Sequence, residues 1–172
     1  MHRVYLLTGR PGVGKTSLIR EAVTASGVRA GGFYTEEVRS QGTRVGFDII
    51  TLDGRRGVLA RMDLRSSCRV GKYGVDSVSL DSVGVSALDG AIRERDIIVV
   101  DEIGKMELSS AAFKEAVLRA IDCGKSVLGT IMLRPHPWAD QVKAHPDVRV
   151  VELTTRNRDQ VLRDIVGWLA GA

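Results

Sequence analysis

The sequence Gly9-Arg10-Pro11-Gly12-Val13-Gly14-Lys15-Thr16 follows the phosphate-loop pattern of a glycine, four residues and then Gly-Lys-Thr. Gly12 and Gly14 can adopt backbone angles that other residues avoid, which lets successive amide N–H groups turn inward around a phosphate. Lys15 can then reach the terminal phosphates, and the Thr16 hydroxyl can ligate Mg²⁺. The stretch therefore predicts a binding site for the phosphates of a nucleotide.

The residues around this loop have the pattern of a strand before it and a helix after it. Val4-Tyr5-Leu6-Leu7 is fully apolar, as expected for a strand that is buried in a parallel sheet. Gly27 marks a helix end after four apolar residues at helical spacing, which are Leu18, Ile19, Ala22 and Val23. Because a helix N-terminus attracts anions, this context favours a nucleotide site over a glycine turn without a ligand.

A second motif, Asp96-Ile97-Ile98-Val99-Val100-Asp101-Glu102, predicts another buried strand, which ends in two acids. This is the Walker B pattern, in which an acid at the carboxyl end of a strand holds the Mg²⁺ ion that bridges the outer phosphates. We predict that Asp101 binds Mg²⁺ through water and that Glu102 activates a water molecule for attack on the γ-phosphate. A helix-capping turn is the alternative for the acid pair, and the upstream phosphate loop makes it the less favoured one.

Length and composition indicate one globular domain that spans residues 1–172. Of these residues, 44% are hydrophobic and 27% are charged, and no apolar run is long enough to cross a bilayer. Met1-His2-Arg3 leads directly into a strand and leaves no room for a signal peptide. Cys68 and Cys123 have no metal-ligand spacing, so reduced thiols in the cytoplasm are the simplest explanation. We expect a cytoplasmic monomer without a membrane segment.

The formal net charge of +4 raises the question of nucleic-acid binding. The densest basic group has only Tyr73 nearby as a stacking aromatic, and it consists of Arg55, Arg56, Arg61, Arg65, Arg69 and Lys72. A nucleic-acid surface more often combines a basic stripe with several aromatic side chains. We therefore favour a solvated basic face, which attracts anionic nucleotides, over a nucleic-acid surface.

Between the two nucleotide motifs, the sequence predicts a series of short antiparallel strands. The candidates are separated by the turn signals Gln41-Gly42 and Asp53-Gly54, and they cover residues 31–39, 45–52, 58–62 and 68–73. They are too short and too closely spaced for a separate domain. We expect hairpins inserted in a parallel α/β scaffold.

Helices and strands are predicted to alternate in the second half of the chain. Helices are expected over residues 86–93, over 112–121 and from Asn157 onward, strands over 126–131 and 148–153, and a loop or broken helix over 134–147. The predicted fold class is α/β, with a mainly parallel central sheet, helices on both faces and the antiparallel hairpin insertion.

Several polar residues outside the two motifs are weaker candidates for the site. Glu36 and Glu37 are adjacent in a predicted strand, so at most one can readily face the nucleotide, and an ordinary exposed acid is an equal alternative for either. Thr130 ends a strand where it could contact the γ-phosphate or the attacking water, or be a plain strand-end threonine. Arg134, and similarly Lys105, could stabilise charge on the transferring phosphate or be ordinary surface cations.

The segment Arg156-Asn157-Arg158 follows the last predicted strand, where an arginine plane could stack on any base. Asn157 is also followed three residues later by Gln160, which resembles a helix capping box. We favour the cap for Asn157 and leave base contact as the alternative for the segment.

Four segments carry a narrower signal than a generic acid pair. They are Gly32-Phe33-Tyr34-Thr35-Glu36-Glu37-Val38-Arg39, Val45-Gly46-Phe47-Asp48, Arg69-Val70-Gly71-Lys72-Tyr73 and Asp101-Glu102-Ile103-Gly104-Lys105-Met106-Glu107-Leu108. In combination with the phosphate loop, they resemble the THEP-type nucleoside-triphosphatases, the family that includes the cancer-related nucleoside-triphosphatase of animals. The resemblance extends from Val4 to the last predicted helix.

The resemblance implies a RecA-like phosphate-loop domain that hydrolyses ATP, GTP, CTP and other nucleoside triphosphates to the diphosphate and phosphate, with Mg²⁺ and broad base tolerance. It also implies two nucleotide-binding segments, which consist of Gly9, Arg10, Pro11, Gly12, Val13, Gly14, Lys15 and Thr16 and of Val99, Val100, Asp101, Glu102, Ile103, Gly104, Lys105 and Met106. Within them, we predict that Lys15 and Glu102 are catalytic and that Thr16 and Asp101 bind the metal.

Two other functions are compatible with these residues. A small nucleotide or nucleoside kinase shares the phosphate loop, and the arginine-rich hairpins would then be its lid. A nucleotide-switched binding module that acts on RNA would hydrolyse nucleotide only incidentally. The acid pair Asp101-Glu102 favours the hydrolase over both.

Overall fold

Nine strands form one continuous sheet in the computed structural model, which describes residues 2–171. The strands are β1 (Val4–Thr8), β2 (Ala30–Ser40), β3 (Thr43–Thr51), β4 (Arg56–Arg61), β5 (Arg69–Val70), β6 (Tyr73–Val75), β7 (Ile97–Ile103), β8 (Ser126–Ile131) and β9 (Val148–Glu152). Their order across the sheet is β5-β6-β4-β3-β2-β7-β8-β1-β9. Strand β8 therefore lies between the strand before the phosphate loop and the strand that carries Asp101.

The five strands from β2 to β9 in this order pair in parallel, and the apolar runs of the inner strands β1, β7 and β8 are buried. Strand β1 is buried at every position, as is most of β7. Runs of this kind are typical of parallel strands that helices cover on both sides. The mainly parallel sheet that the sequence predicts is confirmed.

Helices cover both faces of the sheet. They are α1 (Lys15–Ser26), α2 (Ser77–Ser79), α3 (Ser86–Glu94), α4 (Ala111–Asp122), α5 (Pro137–Lys143) and α6 (Arg158–Ala170), with a π-helical segment, Leu80–Val85, and a 3₁₀ turn, Glu107–Ser109. Apolar residues of α1 and α6 join one core cluster, and those of α3, α4 and α5 join another. Within residues 2–171, no helix is both long and apolar enough to cross a membrane.

The hairpin insertion extends the sheet beyond the parallel strands. Residues 30–33 of β2 pair in parallel with β7, whereas the remainder of β2 pairs antiparallel with β3. Strand β3 in turn pairs with β4, across the turn that contains Asp53 and Gly54. The predicted insertion is confirmed, and β2 connects it directly to the parallel strands.

One local prediction differs from the structure, and two others are refined by it. Residues 68–73 form parts of two short strands instead of one, because the chain reverses at Gly71 and Val70 pairs with Tyr73. The helix predicted over residues 86–93 is present as α3, and further helical residues precede it from Ser77, where the Asp76 side chain accepts a hydrogen bond from the Ser79 amide. The open choice over residues 134–147 resolves into helix α5, which starts at a proline.

Candidate active site

The phosphate loop connects the buried strand β1 to the N-terminus of α1. Gly12 and Gly14 have φ angles of 78° and 97°, in the left-handed region that favours glycine. The Lys15 Nζ donates hydrogen bonds to the carbonyl oxygens of Gly9 at 2.9 Å and Arg10 at 3.1 Å. The ammonium group therefore lies over the loop, at the positive end of the helix dipole, where it can attract phosphate oxygens.

Asp101 lies near the carboxyl end of β7 and is only 2% exposed. Its Oδ1 accepts a hydrogen bond of 2.6 Å from the Thr130 hydroxyl, whereas its buried Oδ2 has no hydrogen-bond partner among residues 2–171. Thr130 belongs to β8, the neighbouring strand, and is fully buried. The Thr130 hydroxyl thus donates to Asp101, a contact that the sequence does not predict.

The surroundings of Asp101 fit a hydrated Mg²⁺ ion. Burial raises the pKa of Asp101, while the hydroxyls of Thr130 and Thr16 and the charges of Lys15 and Arg20 lower it. The Thr16 hydroxyl, in the phosphate loop, lies close enough to the Asp101 carboxyl group to lower its pKa. It does not form a well-formed hydrogen bond with Oδ2. A buried carboxylate oxygen without a partner, close to a hydroxyl, offers the oxygen ligands that Mg²⁺ prefers.

Glu102 lies next to Asp101 in β7 and is half-buried. Burial raises the pKa of the Glu102 carboxyl, the neighbouring charge of Asp101 raises it further, and Lys15 lowers it. A carboxyl group with a raised pKa is a stronger base when it is ionised, as a group that takes a proton from water must be. The position and chemistry of Glu102 therefore suit the predicted general base.

Glu107 is a third acid at this place, and the sequence patterns do not single it out. It is 2% exposed, and burial raises the pKa of its carboxyl well above the ordinary range. The nearby charge of Glu102 raises this pKa further. The signal that could have indicated burial is the pair of apolar neighbours, Met106 and Leu108, on either side of an acid.

Comparison with known proteins identifies the family of this chain. A family model described as NTPase matches residues 4–166. The chain belongs to the NTPase family. Nucleoside-triphosphatase THEP1 of Thermotoga petrophila is 50% identical over 94% of this chain and 89% of that protein. The resemblance on which the sequence analysis relies is confirmed.

Two solved structures of NTPases share the fold. The crystal structure of THEP1 from the hyperthermophile Aquifex aeolicus has a TM-score of 0.89 and 39% identity, and covers 96% of this chain and 98% of that chain. The solution structure of a human cancer-related nucleoside triphosphatase has a TM-score of 0.83 and 40% identity, and covers 100% of this chain and 99% of that one. The predicted RecA-like phosphate-loop NTPase fold is confirmed.

In this NTPase, the two adjacent glutamates of β2 face opposite sides of the sheet, as predicted. The Glu36 carboxylate lies 3.6 Å from the Arg20 guanidinium and 3.5 Å from that of Arg56. Arg20 belongs to α1 and lies 4.7 Å above the Tyr34 ring. Glu36 therefore faces the phosphate-loop helix, and whether it contacts nucleotide or water stays a prediction.

Glu37, on the other side of the strand, is bound by two arginines. Its carboxylate accepts hydrogen bonds from Arg39 at 2.8 Å and from Arg44 at 3.0 Å. The Arg44 hydrogen bond, followed by that of Arg39, lowers the pKa of Glu37. Glu37 therefore binds two arginines of the hairpin insertion and does not belong to the group of acids around Asp101.

The predicted nucleotide-binding segment 99–106 combines buried and accessible positions. The side chains of Val99, Val100 and Ile103 are at most 1% exposed and lie in the core. They can reach a nucleotide only through their backbone. Lys105 is exposed, as are Arg134 and Arg156 elsewhere in the chain, and their contacts with phosphate or base stay predictions.

The capping role that the sequence favours for Asn157 is wrong. The Asn157 side chain makes no cap to α6, although the residue precedes that helix. Its Oδ1 accepts a hydrogen bond from the Thr154 amide at 2.8 Å, and its Nδ2 donates to the Glu152 carbonyl at 2.9 Å. Asn157 closes its own loop instead. Arg158 donates to Glu21 at 2.7 Å, which connects α6 to α1.

Several of the clustered basic residues are engaged with acids. Arg56 and Arg61 both donate hydrogen bonds to the Asp48 carboxylate, which is largely buried in β3. Arg55 forms an ion pair of 3.2 Å with Asp53 in the turn before β4. These contacts reduce the positive charge that the hairpin insertion presents to solvent.

Proposed function

We propose that this NTPase-family protein hydrolyses nucleoside 5′-triphosphates to the diphosphate and phosphate, with Mg²⁺ and little selectivity for the base. The observation that carries the proposal is the buried, unpartnered Oδ2 of Asp101, beside Thr16 and Lys15 of the phosphate loop. Burying a carboxylate oxygen without a hydrogen-bond partner costs free energy unless a cation binds next to it. Membership of the NTPase family supports the same reaction.

Binding of the triphosphate is assigned to the phosphate loop and α1. The inward-turned amides after Gly9 and the N-terminus of α1 would hold the β- and γ-phosphates. The Lys15 ammonium, which lies over the carbonyls of Gly9 and Arg10, would exchange these contacts for phosphate oxygens. Thr16 and, through water, Asp101 would hold a Mg²⁺ ion. This ion would neutralise negative charge on the phosphate oxygens.

Glu102 is the proposed general base. The oxygen of a water molecule attacks the γ-phosphorus, the bond from that phosphorus to the bridging β–γ oxygen breaks, and the nucleoside diphosphate leaves with the bond electrons. Glu102 accepts the proton that the water loses. Because the raised pKa of Glu102 lies closer to neutral pH than that of an ordinary glutamate, proton acceptance is more favourable.

Broad base tolerance has support from the relatives and from the loop after β9. The THEP1 relative is named a nucleoside-triphosphatase without reference to one base. The Asn157 side chain already makes two hydrogen bonds to the backbone of its own loop, which reduces its capacity to read a base edge. The flat guanidinium of exposed Arg156 could stack on any base. Cytoplasmic location and the monomeric state stay predictions.

Phosphate release tests the proposal directly. Steady release from ATP, GTP, CTP and UTP is expected with Mg²⁺, and Lys15→Ala should abolish it by weakening phosphate binding. Glu102→Ala should lower kcat by about 10²–10⁴-fold while nucleotide binding persists. Glu115→Ala, which removes an exposed acid of α4, is the matched control.

Two outcomes would contradict this function. Tight nucleotide binding without release from any of the four nucleotides would favour a kinase, and acceptor screening for a phosphorylated product would follow. Phosphate release by Glu102→Ala at the wild-type rate would show that Glu102 is not the general base.

A further inference from the structure

A cavity of about 490 Å³ lies between helix α1 and the neighbouring strands β2 and β3. Its volume is typical of pockets that hold a small organic molecule. Neither the phosphate loop nor the acids Asp101 and Glu102 contribute a lining residue, so the proposed hydrolysis does not use this space. The cavity is therefore a separate candidate for a ligand site.

The walls of the cavity are mainly apolar. Five apolar side chains line it and stay partly exposed to solvent, and they are Val23, Val28, Ala30, Ile50 and Leu52. All but Ile50 pack against the core cluster that α1 shares with the sheet and α6. A ligand with an apolar body would remove the exposed surface of these side chains from water, which is favourable.

The cavity also has one positive charge in its wall. Among the described residues that line it, Arg20 is the only charged one. The Arg20 guanidinium carbon lies 4.7 Å from the centre of the Tyr34 ring, which belongs to the same wall and is 9% exposed. Stacking on an aromatic face restricts the orientation of a guanidinium. The positive charge is therefore held at the part of the wall that Tyr34 forms.

The Arg20 guanidinium retains hydrogen-bond donors for a ligand. Its Nη2 lies 3.6 Å from Glu36 Oε2, an ion pair just beyond hydrogen-bond distance. Within residues 2–171, its buried Nε has no hydrogen-bond partner. Because 41% of the side chain is exposed, part of it remains accessible from the cavity. A planar carboxylate matches the fixed N–H geometry of a guanidinium.

The two threonines of the wall add no charge to this anchor. The Thr51 hydroxyl already donates to Asp53 and accepts from the Arg55 amide. Thr24 is exposed on α1 and can add a neutral hydrogen bond. A single cation suits a ligand with one negative charge, whereas a triphosphate needs a metal ion and several donors.

We propose that this cavity binds a small carboxylate with a planar apolar body, which pairs with Arg20 and covers the apolar walls between α1 and β3. Phe33 pairs with Val100 in parallel register, so Tyr34 lies at the strand position beside Asp101. The carboxylate would therefore lie one strand away from the proposed metal site without occupying it. The inference goes beyond the proposed hydrolysis and does not depend on it.

An NMR titration of the backbone amides with naphthoate tests the proposal, and the neutral naphthamide is the matched ligand. Wild type should bind naphthoate with a Kd on the order of 0.1–1 mM, as expected for a ligand of this size. The amide shifts should cluster in α1, β2 and β3 around the cavity. Naphthamide should bind at least about 10-fold more weakly, because it lacks the charge that pairs with Arg20.

Three variants separate the charge from the space. Arg20→Met removes the charge and keeps an apolar stem, so it should weaken naphthoate at least about 10-fold and change naphthamide less than about 3-fold. Thr24→Trp fills space at the wall and should weaken both ligands. Arg163→Met removes an exposed arginine of α6 and is the matched control for net charge, so it should bind naphthoate like wild type.

Three outcomes would overturn the proposal. They are an absence of naphthoate binding up to about 5 mM, equal naphthoate affinity in wild type and Arg20→Met, and displacement of naphthoate by ADP with Mg²⁺, which would place naphthoate in the nucleotide site. Lys15→Ala keeps the two proposals distinguishable, because it should abolish phosphate release and yet bind naphthoate like wild type.

Discussion

Two regions of this molecule bury acids, and they differ in what compensates the charge. In the hairpin insertion, Asp48 is 6% exposed, and its carboxylate accepts hydrogen bonds from both Arg56 and Arg61. At the end of β7, Asp101 is 2% exposed, yet within residues 2–171 its carboxylate accepts a hydrogen bond only from the neutral Thr130 hydroxyl, and Oδ2 has no hydrogen-bond partner. The negative charge of Asp48 is compensated by arginines of the same chain, and the negative charge of Asp101 is not compensated by an ion pair.

This difference separates an acid that the chain itself compensates from the acids at the proposed metal site. Burying a carboxylate is unfavourable unless an opposite charge or several hydrogen bonds compensate it. The hairpin acids meet that condition with arginines from neighbouring strands. The acids near β7 have hydroxyl and backbone hydrogen bonds and the nearby charges of Lys15 and Arg20 instead of ion pairs, and burial still raises their pKa values. A cation from outside the chain would meet that condition, which is the physical basis of the proposed Mg²⁺ site.

The largest expected effect comes from neutralising the uncompensated acid. Asp101→Asn keeps an oxygen that can accept the Thr130 hydrogen bond and removes the charge. We expect phosphate release to fall by about 10²–10³-fold and to require more Mg²⁺, because an electrostatic partner of the reacting phosphate is lost. The measurement is kcat as a function of Mg²⁺ concentration. Thermal stability without Mg²⁺ should not fall, and wild-type activity at ordinary Mg²⁺ would contradict the assignment.

Removing the compensated acid should affect stability instead of chemistry. Asp48→Ala leaves Arg56 and Arg61 without their common partner, so the free energy of unfolding should fall by about 1–3 kcal/mol. The value lies below that of a fully buried pair because Arg56 is 57% exposed. Urea unfolding measures this loss, and kcat should stay within about 3-fold of wild type.

The control for Asp48 is an exposed ion pair. Asp89→Ala removes the partner of Arg119, which lies 2.8 Å away on α4. It should cost less than about 1 kcal/mol. Equal losses in Asp48→Ala and Asp89→Ala would show that burial of Asp48 adds nothing, and the contrast between the two regions would then weaken.

A smaller effect is expected in the pH dependence of stability. The folded-state pKa of Glu107 is raised, so its contribution is fully present below the unfolded value and is lost as pH rises through the folded value. Glu107→Gln does not titrate at this position. In Mg²⁺-free solution, its stability should therefore rise relative to wild type as pH increases from about 4.3. Denaturant unfolding at several pH values measures the difference, and a difference that is flat with pH would contradict a buried neutral Glu107.

Glu37→Gln is the matched control of opposite sign. Hydrogen bonds from Arg44 and Arg39 lower the Glu37 pKa, so its contribution is present above the unfolded value and is lost as pH falls. This variant should be less stable than wild type at neutral pH and converge with it in acid. Because the carboxylate is 42% exposed, the difference should stay under about 1 kcal/mol.

Local patterns predicted most of the fold. The apolar strands β1 and β7, the glycine loop and the helix that ends at Gly27 follow from hydrophobic periodicity and from glycine backbone angles, which depend on neighbouring residues only. The prediction of a single strand over residues 68–73 was wrong, and the helical residues 77–85 before α3 were not predicted, although the helix over residues 86–93 was. Both differences depend on a turn or a cap that a single side chain or glycine sets.

The chemistry at the site was predicted less completely than its location. The sequence indicates Asp101 and Glu102 because they follow a buried strand downstream of a phosphate loop. Thr130 approaches Asp101 only because β8 lies between β1 and β7, and strand order cannot be read from periodicity. Glu107 joins the acid pair only because the chain turns back after Gly104.

The amino-acid sequence alone is therefore enough to predict a phosphate-loop α/β protein and the two segments that can bind a nucleotide. Those properties arise from contacts between residues close in the chain. Tertiary structure determines which acids form ion pairs: Asp48 pairs with arginines from β4. Asp101, Glu102 and Glu107 lie near one another, and Asp101 accepts its hydrogen bond from a neutral hydroxyl. Charge compensation depends on distances between strands and on exclusion of water, and both exist only once the sheet is assembled.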